Sequence, residues 1–284
     1  MIQQQKLHNN FKYIEIENRY AKAKVALQGA HLFYYKNNRS TDPLLWLSES
    51  AYFEEHKAIR GGVPICFPWF GKLKEKPDLP QHGFARVSLW ELVKQEERAD
   101  GGTAITLELR SNEERFKLWA YQFKVQLEIV VAEALEMRLR IENIDSKAFE
   151  ITTALHSYFW VSDVTKVEIR GLEERRYYDA LDGQFYQQNE EIKIHEEIDR
   201  VYFDPQNPLR LIDQNRALRL ESRGSKSLVL WNPWIEKSKA MQDMDNEGYH
   251  NMLCLESSNA MEDRQTLQPN QTHTLELIVT EHYL

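Results

Sequence analysis

The amino-acid sequence predicts an all-β protein, a large antiparallel β-sandwich with few short helices. Apolar and charged residues alternate in many separate stretches, as they do in strands with one buried face. Short turn signals rich in Gly, Asn, Asp and Ser separate these stretches. No G-x-G-x-x-G motif follows a strand, so a dinucleotide-binding α/β fold is not expected. Many strands with short connections therefore favour antiparallel sheets.

Alternation is clearest between residues 125 and 142, where Leu135 opens the run Leu-Glu-Met-Arg-Leu-Arg-Ile-Glu. The pattern recurs in four other stretches, residues 18–27, 104–110, 209–221 and 274–280. Residues 209–212 and 217–220 flank the turn signal Asp-Gln-Asn-Arg, which predicts a β-hairpin. Helical periodicity is scarce, and short helices are expected only near residues 48–55 and 111–118.

The chain is expected to form one domain over residues 1–284, because it has no linker, repeat or low-complexity tract. Residues 56–86 differ from the rest, since Gly, Pro and aromatic residues crowd there without alternation. Such a segment predicts a structured loop, and structured loops often carry function.

Composition narrows the class of protein. The net charge of −8 argues against nucleic acid as a partner, because nucleic-acid sites are basic. No stretch approaches the roughly 20 apolar residues of a membrane helix, and the N-terminal residues lack a secretory signal. The two cysteines are therefore expected to be free thiols in the cytoplasm. A monomer is the default expectation for a self-contained sandwich.

Two segments of the 56–86 loop carry candidate ligand-binding residues. Arg60 precedes paired glycines in IRGGVPICFPWFG, and the glycines permit positive φ or a close backbone approach. LPQHGFAR groups Gln81, His82 and Arg86 around a glycine. Forked guanidinium donors match phosphate oxygens, so two arginines in structured loops favour an anion site. Either arginine alone also fits a solvated surface charge.

Three further residues are candidates for proton transfer or sugar binding. His156 lies in the apolar, aromatic stretch TTALHSYF, where by spacing alone a core histidine is the simpler reading. Glu256 lies inside the apolar run MLCLESS, and a buried carboxylate requires a partner or a purpose. Asp199, in EIDRV, fits the same description less strongly and also fits a turn aspartate.

Other chemistries have little support in the sequence. The nine histidines are scattered without H-E-x-x-H or a Cys/His cluster, so neither a metal nor another cofactor is expected. No G-x-S-x-G or Walker loop occurs. Asp243, Asp245 and Glu247 alternate but lack the spacing of a calcium loop. Trp231 and Trp234 fit either a sugar-stacking platform or a packed corner.

Taken in order, these segments resemble the aldose 1-epimerase superfamily, in its hexose-6-phosphate mutarotase branch. The matching pieces, spread over residues 28–259, are QGAHL, IRGGVPICFPWFG, LPQHGFAR, TALHSYF, IDRVY, LVLWNPW with KAMQDM, and NMLCLESS. The resemblance implies a galactose-mutarotase-type sandwich, a cofactor-free site and a small-molecule hexose 6-phosphate as substrate. Only Ser257 and Ser258 depart from the expected pattern.

The resemblance also implies a role for each candidate. His156 is expected to be the general acid and Glu256 the general base. Arg60 and Arg86 fall on positions that hold the substrate and its phosphate. Gln81 and Asp199 fall on sugar-binding positions, and His82 is a further expected contact.

The implied reaction suits this pair of residues. Opening a hemiacetal requires a proton to leave the anomeric hydroxyl while another reaches the ring oxygen, and one base and one acid suffice. The main alternative is a non-catalytic sugar-phosphate or carbohydrate-binding sandwich on the same scaffold. A glycosidase or lyase is a weaker alternative, because glycosidases usually use two carboxylates.

Overall fold

The computed structural model describes residues 1–283, and 22 β-strands lie within them. They are β1 (Ile2–Lys6), β2 (Lys12–Glu17), β3 (Ala21–Ala26), β4 (His31–Asn37), β5 (Ile65–Cys66), β6 (Glu91–Glu97), β7 (Thr103–Arg110), β8 (Phe123–Val131), β9 (Leu135–Asn143), β10 (Phe149–Ile151), β11 (Thr153–Leu155), β12 (Tyr158–Trp160), β13 (Glu168–Arg170), β14 (Arg176–Asp179), β15 (Gln184–Gln187), β16 (Ile198–Phe203), β17 (Leu209–Asp213), β18 (Arg216–Arg223), β19 (Ser227–Asn232), β20 (Met252–Asn259), β21 (Gln265–Leu267) and β22 (Thr272–Tyr283).

Helical structure is short. The two α-helices of residues 1–283 are α1 (Glu113–Leu118) and α2 (Trp234–Ala240). Four 3₁₀ turns accompany them, at Ala85–Val87, Val164–Lys166, Gly248–Asn251 and Met261–Asp263. No helix in this part of the chain is long and apolar enough to cross a membrane.

Two eight-stranded antiparallel sheets dominate the described residues. The back sheet has the order β13-β17-β18-β22-β9-β8-β7-β6. The site sheet has the order β15-β14-β16-β19-β20-β11-β5, and β12 also pairs with β20. A four-stranded sheet, β1-β2-β3-β4, and the two-stranded β10-β21 ribbon complete the architecture.

The core lies between the two large sheets. Leu253 and Leu255 of the site sheet belong to the same buried cluster as Leu139 of β9 and Leu275 and Leu277 of β22. Each such side chain contributes about 1.5–3 kcal/mol when fully buried. The predicted antiparallel β-sandwich is therefore confirmed. The cluster runs from Ile14 to Val279, which agrees with one domain over residues 1–284, although that boundary stays a prediction.

Two local predictions, a hairpin at residues 209–220 and a helix near residues 111–118, are confirmed. The predicted hairpin is formed by β17 and β18, with Leu211 opposite Leu218. The helix expected near residues 111–118 is α1, and the Asn112 side chain caps it by accepting from the N–H of Arg115 at 2.9 Å.

The prediction of a helix near residues 48–55 is wrong. The carboxylate of Asp245 accepts hydrogen bonds from the backbone N–H groups of Glu49 and Ser50, at 2.9 and 3.1 Å. These long-range bonds hold the segment as a turn against the loop after α2. Helix α2 itself was not predicted, since it begins directly after Pro233 without a periodic pattern.

Candidate active site

Strand β20 places Glu256 on the outer face of the site sheet. Successive side chains of a strand point to opposite faces, so Leu253 and Leu255 enter the inter-sheet core while Cys254 and Glu256 face outward. Glu256 is nevertheless only 1% exposed. The carboxyl group is therefore buried beneath the loops that cover this face.

The chain between β11 and β12 brings His156 next to Glu256. Both short strands pair with β20, with Leu155 opposite Ser257 and Tyr158 opposite Cys254. His156 lies between them, and its Nδ1 atom is 3.2 Å from Oε1 of Glu256. Its ring stacks on that of Tyr158, with centroids 4.8 Å apart and planes 7° apart. The ring is thus fixed in direction as well as position.

The pair is buried and retains free hydrogen-bonding capacity. Among residues 1–283, neither Nδ1 of His156 nor Oε2 of Glu256 has a hydrogen-bond partner. Burial raises the pKa of Glu256 well above its usual value, and the charge of Asp199 raises it further. Burial also lowers the pKa of His156, as do His82, Arg86 and Arg60. These directions favour a neutral imidazole beside a protonated carboxyl.

Arg60 reaches the site as part of an ion pair. Its Nη2 atom lies 3.1 Å from the carboxylate of Asp243, and its Nη1 atom donates to the hydroxyl of Tyr158 at 3.0 Å. Both glycines that follow have positive φ, as the sequence permitted, at +111° for Gly61 and +62° for Gly62. A Cβ atom at Gly61 would lie 2.6 Å from backbone atoms of Trp46 and Leu47, so only glycine fits.

Arg86 has different partners. It lies in the 3₁₀ turn Ala85–Val87, and its Nη2 atom donates to the carbonyl oxygen of Gln81 at 2.7 Å. Within residues 1–283 no carboxylate lies at ion-pair distance from its guanidinium, in contrast to Arg60. Burial lowers the pKa of Arg86, because desolvation disfavours the charged guanidinium. This charge is available to an anion.

His82 and Gln81 line the same region. His82 has a φ of +62°, an uncommon conformation for a residue with a side chain. The N–H of Gly71 donates to its Nδ1 atom at 3.1 Å, so the neutral ring carries its hydrogen on Nε2. Burial, with the charge of Arg86, lowers the pKa of His82 to about 3. Its ring centroid is 5.5 Å from that of His156, and the side chain of Gln81 lies 3.1 Å from its Nε2 atom.

Asp199 completes the group from β16. It pairs with Trp231 of β19, which in turn pairs with Cys254, and these residues share the outer face of the site sheet. Burial raises the pKa of Asp199 to about 6, with Lys237 acting in the opposite direction. The ring of Trp231 is 6.3 Å from that of His156, so Trp231 walls the site.

The structure thus places the other five candidates, Arg60, Gln81, His82, Arg86 and Asp199, around the buried pair of His156 and Glu256. Two others were missed. Tyr158 follows His156 by two residues and therefore shares its surroundings. This spacing could have identified it from the sequence. Asp243 was considered from the sequence only as part of a cation-binding loop, whereas its carboxylate accepts hydrogen bonds from Arg60. Trp234 packs against Tyr249 at 5.0 Å, as a packed corner would.

The chain is similar to known proteins over most of its length. Residues 12–280 match the family described as aldose 1-epimerase. A protein from Cenchrus ciliaris named "Putative glucose-6-phosphate 1-epimerase" is 36% identical over 261 residues, which are 88% of this chain and 78% of that protein. A protein of the same name from Escherichia coli K12 is 35% identical, over 93% of this chain and 89% of its own length.

Solved structures give the same result for the fold. The crystal structure of a "putative mutarotase" from Salmonella typhimurium has a TM-score of 0.93 and 32% sequence identity. The match covers 100% of this chain and 94% of that one. The similarity therefore extends over both large sheets and the loops that carry the candidate residues.

Proposed function

The chain belongs to the aldose 1-epimerase family, and on that premise we propose that it interconverts the α and β anomers of a hexose 6-phosphate. The substrate is a small molecule, with glucose 6-phosphate as the first choice because the relatives carry its name. One observation supports the proposal above the others. An imidazole and a carboxyl group lie 3.2 Å apart, buried, beside two arginines.

The proposed reaction needs two proton transfers at one end of the sugar. The reaction starts once the carboxyl proton of Glu256 has moved to His156: the carboxylate of Glu256 then takes the proton of the anomeric hydroxyl, while the imidazolium of His156 gives its proton to the ring oxygen. The C1–O5 bond breaks and leaves the open-chain aldehyde. The pair then consists of a protonated carboxyl and a neutral imidazole, which is the state that burial favours. Rotation about C1–C2 and reversal of both transfers yield the other anomer.

The remaining residues hold the sugar while C1 turns. We assign the phosphate to Arg86 and Arg60, since guanidinium donors bind phosphate oxygens in pairs. Gln81, His82 and Asp199 are assigned to sugar hydroxyls. The neutral His82 carries its hydrogen on Nε2, because its Nδ1 atom accepts from the N–H of Gly71, and this Nε2 atom lies 3.1 Å from the side-chain amide of Gln81.

Arg86→Met tests the phosphate assignment. The variant should lower kcat/KM for glucose 6-phosphate about 10- to 150-fold, the value of charge-assisted hydrogen bonds worth about 1.5–3 kcal/mol. Exchange of free glucose should stay within about 2-fold, because free glucose has no phosphate to lose. NMR exchange on both sugars measures this, with Arg98→Met, whose half-buried side chain pairs with Asp100, as the matched control. Equal losses on both sugars would show that Arg86 does not bind phosphate.

The Arg60 and Asp243 pair should matter less to phosphate selectivity than Arg86 does. The charge of Arg60 is already balanced by Asp243 at 3.1 Å. The double variant Arg60→Met with Asp243→Asn removes both charges and leaves the net charge of the site unchanged. We expect its loss of kcat/KM for glucose 6-phosphate to be below about 10-fold, that is below about 1.4 kcal/mol. A loss as large as that of Arg86→Met contradicts this ranking.

Three further expectations stay proposals. A cytoplasmic location is supported by the two cysteines, Cys66 and Cys254, which are buried and unpaired. A monomer and a cofactor-free reaction are the simplest forms of the proposed function. The rival function, a sugar-phosphate binder without activity, leaves the buried acid and base without a use.

A further inference from the structure

The proton-transfer pair has a third neighbour that the proposed reaction does not use. Cys254 precedes Glu256 by two residues on β20, so its side chain shares the outward face. One donor atom each from His156, Cys254 and Glu256 lies within 4.8 Å of the other two, and all three residues are buried.

The spacing suits a tetrahedral cation. Zinc binds nitrogen and oxygen at roughly 2.0–2.2 Å and thiolate sulfur at about 2.3 Å, which places neighbouring ligand atoms about 3.3–3.6 Å apart. The nitrogen and oxygen of His156 and Glu256 are 3.2 Å apart. The ligand atoms, which lie within 4.8 Å of one another, then need to approach by up to about 1.2–1.5 Å, which rotation of the Cys254 side chain together with shifts of the other two side chains provides.

A second observation points to a ligand at the same place. Nδ1 of His156 and Oε2 of Glu256 are buried and lack hydrogen-bond partners within residues 1–283. Buried polar atoms without partners are costly, and a cation bound by Nδ1 of His156 and by both carboxylate oxygens of Glu256 would give each of these atoms a partner. Imidazole, thiolate and carboxylate together form a donor set typical of zinc, whereas Mg²⁺ and Ca²⁺ prefer oxygen ligands alone.

We propose that His156, Cys254 and Glu256 bind a thiophilic divalent cation, Zn²⁺ or Cd²⁺, and that the bound cation inhibits anomer exchange. Binding displaces the thiol proton of Cys254 and any carboxyl proton of Glu256 to solvent, since both ligands bind as anions. The cation occupies the lone pairs of His156 and Glu256, so these two side chains can no longer take up or release the protons of the sugar. Metal binding stands independently of the proposed function, whereas inhibition rests on it.

The test uses the full chain freed of metal. Cd²⁺ titration is followed by ultraviolet thiolate-to-cadmium charge-transfer absorption, and Zn²⁺ titration by NMR exchange of glucose 6-phosphate. The native chain and Cys66→Ala, which changes the other buried cysteine, should give one equivalent of the absorption band. Both should lose at least about 100-fold in exchange rate at saturating Zn²⁺, because acid and base are blocked together. Mg²⁺ should have no effect.

Two variants separate the site from the rest of the molecule. Cys254→Ser and Cys254→Ala should keep the basal exchange rate and lose both the band and the sensitivity to Zn²⁺. A native chain without the band, or a band that survives in Cys254→Ala, overturns the metal site. A native chain that shows the charge-transfer band but keeps its exchange rate at saturating Zn²⁺ overturns the proposal that the cation inhibits. A chain that shows the band but no exchange without metal contradicts the proposed function and leaves the metal site standing.

Discussion

Replacing Glu256 with Gln should lower kcat for anomer exchange about 100- to 10,000-fold, the usual contribution of a positioned proton acceptor. The amide has nearly the shape of the carboxyl group and cannot accept the proton of the anomeric hydroxyl. KM should change little, because the substitution leaves the phosphate contacts of Arg86 and Arg60 in place. NMR exchange of glucose 6-phosphate gives the rate.

The same substitution should not reduce stability. Burial raises the pKa of Glu256 above its unfolded value, so the native chain loses stability as the pH rises past the unfolded pKa of about 4.3. A glutamine cannot ionise and escapes this loss. The thermal midpoint at neutral pH should therefore equal or exceed that of the native chain. Glu236→Gln, with a side chain 91% exposed, is the matched control. Unchanged turnover in Glu256→Gln would remove this residue as the base.

Replacing His156 with Asn should cause a loss of similar size, about 100- to 10,000-fold in kcat. The variant has no group that can protonate the ring oxygen as the C1–O5 bond breaks. It also loses the stacking of the imidazole on Tyr158 at 4.8 Å, an aromatic contact worth about 0.5–1.5 kcal/mol. Kinetics and thermal unfolding on the same preparation distinguish the two effects.

His195→Asn is the control for this substitution, because His195 is exposed. It should retain both turnover and stability. If His156→Asn keeps kcat within about 3-fold of the native chain, a general-acid role is excluded, since such a role contributes at least about 100-fold.

Much of the fold could be predicted because strands with one buried face alternate visibly in sequence. The β8, β9 and β17–β18 regions follow that pattern directly. The segment at residues 48–55 could not be predicted, since its conformation depends on Asp245, nearly 200 residues away. Helix α2 lacks a periodic face and was missed for that reason.

The candidate site, like the fold, could be predicted from the sequence only in part. Ordered motifs identified His156 and Glu256, but only the pairing of β20 with both β11 and β12 brings their side chains within 3.2 Å. The partner of Arg60 could not be found from spacing, because Asp243 lies 183 residues away on another loop. The position of Cys254 beside the pair likewise depends on strand register.

One measurement tests the central proposal most directly. The native chain, at micromolar concentration, is added to glucose 6-phosphate at equilibrium, and exchange between the α and β anomeric signals is followed by NMR. The account predicts that exchange accelerates in proportion to protein concentration and that Glu256→Gln at the same concentration leaves the uncatalysed rate. An uncatalysed rate with the native chain, in the presence of bound sugar phosphate, would contradict it and favour a binding protein.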